Sequence, residues 1–322
     1  MRGESTRDGT ALIFPGMGPI RFDDIARFLL IERHARALSA VADKVLGYSV
    51  FDRCRDDGDD DYTEHRQVAF LITCLAMAYW AESALGVKAD YCTGPSFGAK
   101  AAAVYCGALD IGDAVRITVE QARCERDYFA EHDSDVVTYS FVRASPQLLE
   151  ELTGQLREWD EPHEVSCYVD DDFYMLTLRE TQVDWLVRQL RSRGAMPLYS
   201  MRPPMHAAAF APLRDRVERD VLSRFEFGAP LIPVVADQDG AVLETGEQLR
   251  QSLLDGIVRA VRWPQVVSSL RSLGVGRVYV AGPDAIFGRV RRTKAAFETV
   301  ELHPPTAMRP RPRAALPVPV AS

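Results

Sequence analysis

The chain has 322 residues, 47% of them hydrophobic, and a formal net charge of −8. That supplies a sizeable core, in one large domain or a domain with an insert, and the acidic balance argues against a general nucleic-acid binder. No apolar run reaches membrane-spanning length and no segment reads as a signal peptide. Six cysteines (Cys54, Cys74, Cys92, Cys106, Cys124, Cys167) are scattered without a CxxC pair, against a zinc site or a disulfide framework and for a reducing, cytoplasmic setting.

In chain order, the polar stretch Met1 to Thr10 is expected to fray, and Ala11 to Phe14 reads as a strand. It enters a turn, Pro15-Gly16-Met17-Gly18-Pro19. Apolar positions from Ile25 to Leu46 predict one helix. The acidic run Asp56 to Asp61 lacks the glutamate of a calcium loop and reads as a solvated loop. Val68 to Leu85 predicts an apolar helix, Ala89 to Cys92 a strand, Ala99 to Cys106 a small-residue helix and Ile111 to Phe129 another helix.

From Val136 the pattern changes to strand, helix (Pro146 to Trp159), strands Val165 to Val169 and Phe173 to Leu178, helix (Val183 to Arg193) and strand (Met196 to Tyr199). This βαββαβ order is the ferredoxin-like unit. It divides the chain into a larger, discontinuous α/β core, 1–134 and 201–303, and an inserted ferredoxin-like subdomain, 135–200. The core resumes with a helix over Pro212 to Phe225, a strand over Ile232 to Ala236, helices over Leu249 to Val258 and Trp263 to Leu273, a strand over Val278 to Ala281 and a helix around Ile286 to Arg292. The Pro- and Arg-rich tail, 304–322, is expected to be extended or disordered.

Gly94-Pro95-Ser96-Phe97-Gly98 lies between a strand and a helix, as in a nucleophile elbow. The glycines permit a sharp turn, and the helix N-terminus favours developing negative charge on the serine. A tight glycine turn around a buried serine gives the same five letters. Of six histidines, His34, His65, His132, His163 and His303 sit in polar helix or loop contexts, and His206 follows the small insert.

Phe14-Pro15-Gly16-Met17-Gly18, the elbow and His206, in that order, resemble the malonyl-CoA:ACP transacylase family, including polyketide acyltransferase domains. Thr63-Glu64-His65-Arg66-Gln67-Val68-Ala69 resembles the family's Thr-Glu-x-x-Gln-Pro-Ala, and Val261-Arg262-Trp263 its Pro-Val-Arg-Trp. The resemblance spans about Ala11 to Thr293 and implies an α/β-hydrolase-like core with a ferredoxin-like insert, the active site lying in the cleft between them. It implies two acyl transfers through an acyl-Ser96, with His206, 110 residues on, as base. It further implies an oxyanion hole from the Met17 and Phe97 backbone N–H groups, and a main-chain carbonyl near Gly256 to orient the histidine.

Three departures bear on the acyl group. Gln121 occupies the position of the arginine that pairs with the malonyl carboxylate, and Arg123 faces elsewhere on that helix. Pro95 replaces the histidine before the serine, and Met205 precedes His206. A neutral lining suits an acyl group without a free carboxylate. The pattern is similar to the discrete acyltransferases of macrolactam polyketide (antibiotic) pathways, which move an aminoacyl or dipeptidyl group from one acyl carrier protein to another. The partner then brings the 4′-phosphopantetheine, and the enzyme, expected to be a monomer, binds no cofactor and no metal. Carrier proteins are acidic, so Arg202, Met205 and a basic helix bearing Arg289, Arg291, Arg292 and Lys294 are expected to receive them. Alternatives are an editing acyl-carrier hydrolase, a malonyl- or acyl-CoA:ACP transacylase, and a non-catalytic carrier-binding module, which the retained Ser96 and His206 oppose.

Overall fold

Short apolar strands alternating with helices demand a sheet covered on both faces. The computed structural model describes residues 8–18, 21–58, 62–132, 135–284 and 286–309. The chain begins β1 (Gly9–Ile13), α1 (Phe22–Ile31), α2 (Arg33–Leu46), α3 (Val50–Asp56), α4 (Glu64–Leu85), β2 (Tyr91–Thr93), α5 (Gly98–Tyr105) and α6 (Ile111–Glu131). The insert is β3 (Val136–Val142), α7 (Pro146–Glu158), β4 (His163–Asp170), β5 (Phe173–Arg179), α8 (Val183–Ser192) and β6 (Met196–Met201). Then come α9 (Ala211–Asp220), β7 (Val234–Val235), β8 (Val242–Leu243), α10 (Gly246–Val258), β9 (Val261–Arg262), α11 (Trp263–Ser272), β10 (Val275–Ala281), α12 (Arg291–Ala296), β11 (Glu298–Leu302) and α13 (Pro304–Ala307).

The core sheet runs β11-β10-β1-β2-β7-β8. Neighbours from β11 to β7 are parallel, and β8 turns back antiparallel. Ala11, Leu12 and Ile13 of the central β1 are fully buried, as a strand covered on both faces requires. The sheet packs against α4, which is buried nearly all round. By length and composition alone α4 could cross a membrane, which corrects the expectation that no run is long enough; 72% of its apolar window is buried inside the protein. An all-round apolar helix needs an all-round apolar environment, and here the core supplies it.

The insert is ferredoxin-like. Its sheet runs β6-β3-β5-β4, all antiparallel, and β9 from the core adds a fifth strand parallel to β4. Val137, Tyr139 and Phe141 point to α7 and α8, packing with Leu152, Leu186 and Leu190. The alternate face presents Thr138 and Ser166 toward the core. Val261 pairs with Cys167, the Arg262 guanidinium lies 4.6 Å from the Tyr168 ring centroid, and Trp263 Nε1 donates to Thr293 Oγ1 at 2.8 Å. The Val-Arg-Trp run is therefore the seam between the two units.

Several expectations are corrected. The helix expected over Ile25 to Leu46 is two helices: Glu32 is extended, caps α1, and accepts from the Ala35 N–H to start α2. The periodicity hid the break because both helices bury the same stripe. Helix α3, capped by Ser49, starts just upstream of the acidic run and takes in Asp56, while Asp59 to Asp61 lie outside the described residues. Strand β11 was not expected, because its charged edge residues mask its alternation. The helix expected from Ile286 starts at Arg291, and Asp284 instead caps the turn before it through Ile286, Phe287 and Gly288. The tail opens with the short helix α13, its prolines at the first helical positions where a missing N–H costs nothing; 310–322 lie outside the described residues. At the other end, β1 begins at Gly9, inside the stretch expected to fray.

The join between β1, β2 and α5 tolerates no Cβ. A methyl group on Gly98 would stand 2.0 Å from the Phe14 carbonyl oxygen. Gly98→Ala should therefore lower unfolding stability by about 3 kcal/mol, since backbone must move. Gly154→Ala on α7, where nothing lies within 4 Å, should raise it by about 0.5–1 kcal/mol. Urea titrations of both variants check this, and equal effects would contradict the packing described.

Candidate active site

Parallel strands deliver their carboxyl ends to one rim, where open α/β sheets place their sites. Here the ends of β1, β2, β7 and β10 lead to Gly16 and Met17, to Ser96 and Phe97, to Asp237, and to Ile286 and Phe287. Together with the polar face of the small sheet these residues line a cleft of about 1200 Å³, open mouth included.

Ser96 sits at the sharp turn from β2 into α5, with φ +55°. His206 also has a left-handed backbone, φ +65°, and its N–H donates to the Ile257 carbonyl at 2.9 Å. The end of α10 thus fixes the histidine. Ser96 Oγ and His206 Nε2 are 2.8 Å apart. Burial pushes the imidazole down from 6.5 to about 4, so at neutral pH it is an unprotonated base. Its buried Nδ1 makes no full hydrogen bond. The Gly256 carbonyl faces it closely enough to raise its basicity, opposing burial. The N–H groups of Met17 and Phe97 make no hydrogen bond among the described residues, so both are free to take up charge on an oxygen held above Ser96.

Asp237 is a functional residue the sequence did not reveal, since Asp237-Gln238-Asp239-Gly240 looks like an ordinary turn. Its Oδ2 accepts from the Ser96 N–H at 2.6 Å, and its carbonyl accepts from the Arg262 N–H at 2.7 Å. It ties the elbow to β7 and to the seam. Burial pushes its carboxyl up to about 7, against the pull of the backbone N–H donors.

The cleft takes in Gln121 and Met205, but not all the residues expected there. Pro95 is buried beneath the elbow, its carbonyl accepting from the Gly98 N–H, and does not line the cavity. Adjacency to the nucleophile in sequence points it away, because the turn is sharp. Arg123 indeed faces elsewhere, donating two hydrogen bonds to Glu64. The expected neutral lining is corrected: Lys100 and Glu125 face the same cavity. A lone lysine in a helix of alanines and a glutamate four residues after Gln121 were the available signals.

The basic residues do not form one patch. Arg289 precedes α12 and pairs with Glu301, as does Lys294. Arg292 pairs with Asp171 at the tip of the insert, and Arg202 with Glu180 at 2.6 Å. Arg291 has no acidic partner among the described residues. No group of three or more His, Cys, Asp or Glu side chains that could hold a metal ion occurs among the described residues.

Residues 140–201 match the family model described as the VinK acyltransferase small domain. The chain is 22% identical over 310 residues to the malonyl CoA-acyl carrier protein transacylase of Escherichia coli K12, covering 92% of this chain and 97% of that protein. It superposes with TM-score 0.79 on a malonyl-transacylase solved with its type II PKS acyl-carrier protein, at 22% identity, covering 92% and 95% of the two chains. With the acyltransferase domain of the second salinomycin polyketide synthase module the TM-score is 0.77 at 23% identity, covering 94% and 72%.

The depressed imidazole of His206 and the raised carboxyl of Asp237 set two expected outcomes. Protonating Asp237 below pH 7 weakens its grip on the Ser96 N–H, so acylation of Ser96 by a small thioester should fall less than tenfold through that range. Full loss should come only near pH 4, when the imidazole protonates. Asp237→Asn, which keeps an acceptor without the charge, should remove the first step, and Asp237→Ala should lower kcat about 10–100-fold, the worth of a charged hydrogen bond. A single limb centred at 6.5 in pre-steady-state rates would contradict both assignments.

Proposed function

We propose that the chain, which matches the VinK small-domain model over residues 140–201 and resembles malonyl CoA-acyl carrier protein transacylases along nearly its whole length, moves a non-malonyl acyl group, aminoacyl or peptidyl, between acyl carrier proteins through an acyl-Ser96. The observation that carries this reading is the 2.8 Å contact of Ser96 Oγ with the unprotonated Nε2 of His206, in a cleft lined by the neutral Gln121 at the position where the resemblance implies a carboxylate-binding arginine.

The chemistry balances on these two side chains. Nε2 takes the Ser96 proton as Oγ attacks the thioester carbonyl. The oxygen that gains charge is held by the Met17 and Phe97 N–H groups. The C–S bond then breaks, and the imidazolium returns its proton to the leaving thiol. The second half runs in reverse: Nε2 takes the proton of an incoming carrier thiol, its sulfur attacks the acyl-serine, and Ser96 leaves reprotonated. Asp237 positions the elbow throughout. A carrier brings its own phosphopantetheine arm, so the enzyme needs no resident cofactor. Met205, on the cleft wall, and Arg202, three residues before it, are the side chains this reading assigns to carrier contact. Arg291 supplies a positive charge not neutralised by any acid among the described residues, whereas Arg289 and Arg292 would have to give up their carboxylates to meet an acidic carrier.

One observation favours a second reading. Lys100 is a cation inside the cavity, and the relative from Escherichia coli is named for malonyl transfer. Lys100 is a single point charge opposed by Glu125, however, whereas a malonyl carboxylate is best held by a two-pronged arginine. Intact-mass measurement separates the readings. Malonyl-CoA, malonyl-carrier and aminoacyl- or peptidyl-carrier are offered in turn. The non-malonyl groups should load Ser96 at least ~10-fold faster, about 1.4 kcal/mol of discrimination, then pass to a second carrier rather than to water. Ser96→Ala should take up no mass. Faster malonyl loading overturns the substrate assignment, and release to water makes the protein a hydrolase.

A further inference from the structure

Three polar side chains lie deep in the cleft and are used by none of the steps above. Lys100 belongs to the first turn of α5, four residues after the nucleophile. Gln121 and Glu125 are one turn apart on α6. All three line the cavity that holds Ser96 and His206, and they are only 6%, 9% and 6% exposed.

Their partners do not satisfy them. Gln121 Nε2 donates to Glu125 Oε1 at 2.7 Å, and the other carboxylate oxygen accepts nothing among the described residues. The Lys100 ammonium lies 4.8 Å from the Phe97 ring centroid and makes no hydrogen bond or ion pair among the described residues. The two opposite charges feel one another but do not close into an ion pair. Burial pushes Lys100 down to about 8 and Glu125 up, each opposed by the other's charge. Unpaired buried charges are expensive, and a purely structural pair would be expected to close. Open charges that converge on a reactive cavity mark a place completed by a ligand.

We infer that Lys100 and Glu125 form a two-sided subsite for a neutral group with an acceptor beside a donor, a secondary amide on the acyl chain being the simplest. The assignment rests on the acyl-transfer reading and deepens it. A carboxylate gains from Lys100 and is repelled by Glu125. An ammonium gains from Glu125 and is repelled by Lys100. An amide meets both: its carbonyl accepts from Nζ, and its N–H donates to the free carboxylate oxygen. Gln121 holds that carboxylate in place and is a positioning residue.

The test uses the full chain and pantetheine thioesters of matched length, read as acyl-Ser96 formation by intact mass. One set carries a secondary amide at each of several positions, a second replaces N–H by an ester oxygen, and a third is all carbon. Amine-terminated and malonyl thioesters complete the panel. The amide should load about 10–100-fold faster than its ester, and the ester faster than the all-carbon chain. Glu125→Leu should collapse the first ratio to near one and spare the second. Lys100→Met should collapse the second. The wild-type ratios decide the matter if either variant fails to fold. Equal loading of the three sets, or preference for the amine, overturns the subsite and leaves carrier-to-carrier transfer standing. Loading by malonyl alone overturns the transfer reading itself.

Discussion

The site depends on one hydrogen bond that neither partner can reach by relaxed backbone. Ser96 and His206 both hold φ values near +60°, a conformation that costs an L-residue on the order of 1–3 kcal/mol. That strain is offset locally. The Ser96 N–H is clamped by Asp237, and the His206 N–H by Ile257 at the end of α10. Each clamp comes from a different stretch of chain. The dyad is therefore a property of the closed fold, and an elbow peptide alone has no reason to adopt it.

Those clamps meet at the seam. β9 is two residues long, yet it extends the small sheet, begins three residues after the helix that fixes His206, and donates a hydrogen bond from its Arg262 N–H to the Asp237 carbonyl. A rotation of the insert about the core would pull on the histidine and the serine together. The cleft between the units is thus tied, through β9, to the geometry of the Ser96–His206 pair.

How much of this was legible follows from what each feature depends on. The elbow was legible because glycine is required at both ends, and the ferredoxin-like insert because its βαββαβ rhythm is local. Ser96 and His206 could be paired from the order of motifs. The split at Glu32 was not legible, because a side-chain cap leaves the apolar period unbroken. Pro95 was misplaced because sequence adjacency says nothing about which side of a sharp turn a residue takes. Asp237, Lys100 and Glu125 were missed for a common reason. Each is an ordinary charged residue until a second element packs against it: Asp237 against the elbow, and α5 against α6 for the other two. Charge in sequence is visible, but burial of that charge is a tertiary fact.

That distinction bears on the meaning of Gln121. Read alone, a neutral residue in place of an arginine removes a positive charge and leaves an apolar pocket. In the folded protein it does something else, because its amide holds the Glu125 carboxylate. An arginine there would lie against Glu125 and close an internal ion pair, with its charge spent before any substrate arrived. With glutamine, the carboxylate keeps one oxygen free and Lys100 remains open across the cavity. With glutamine at position 121 the cleft holds a separated donor and acceptor, Lys100 and Glu125, of zero net charge. A subsite of that kind disfavours a carboxylate or an ammonium placed between Lys100 and Glu125 and rewards a dipole there by two hydrogen bonds, so selectivity comes as much from what it disfavours as from what it holds.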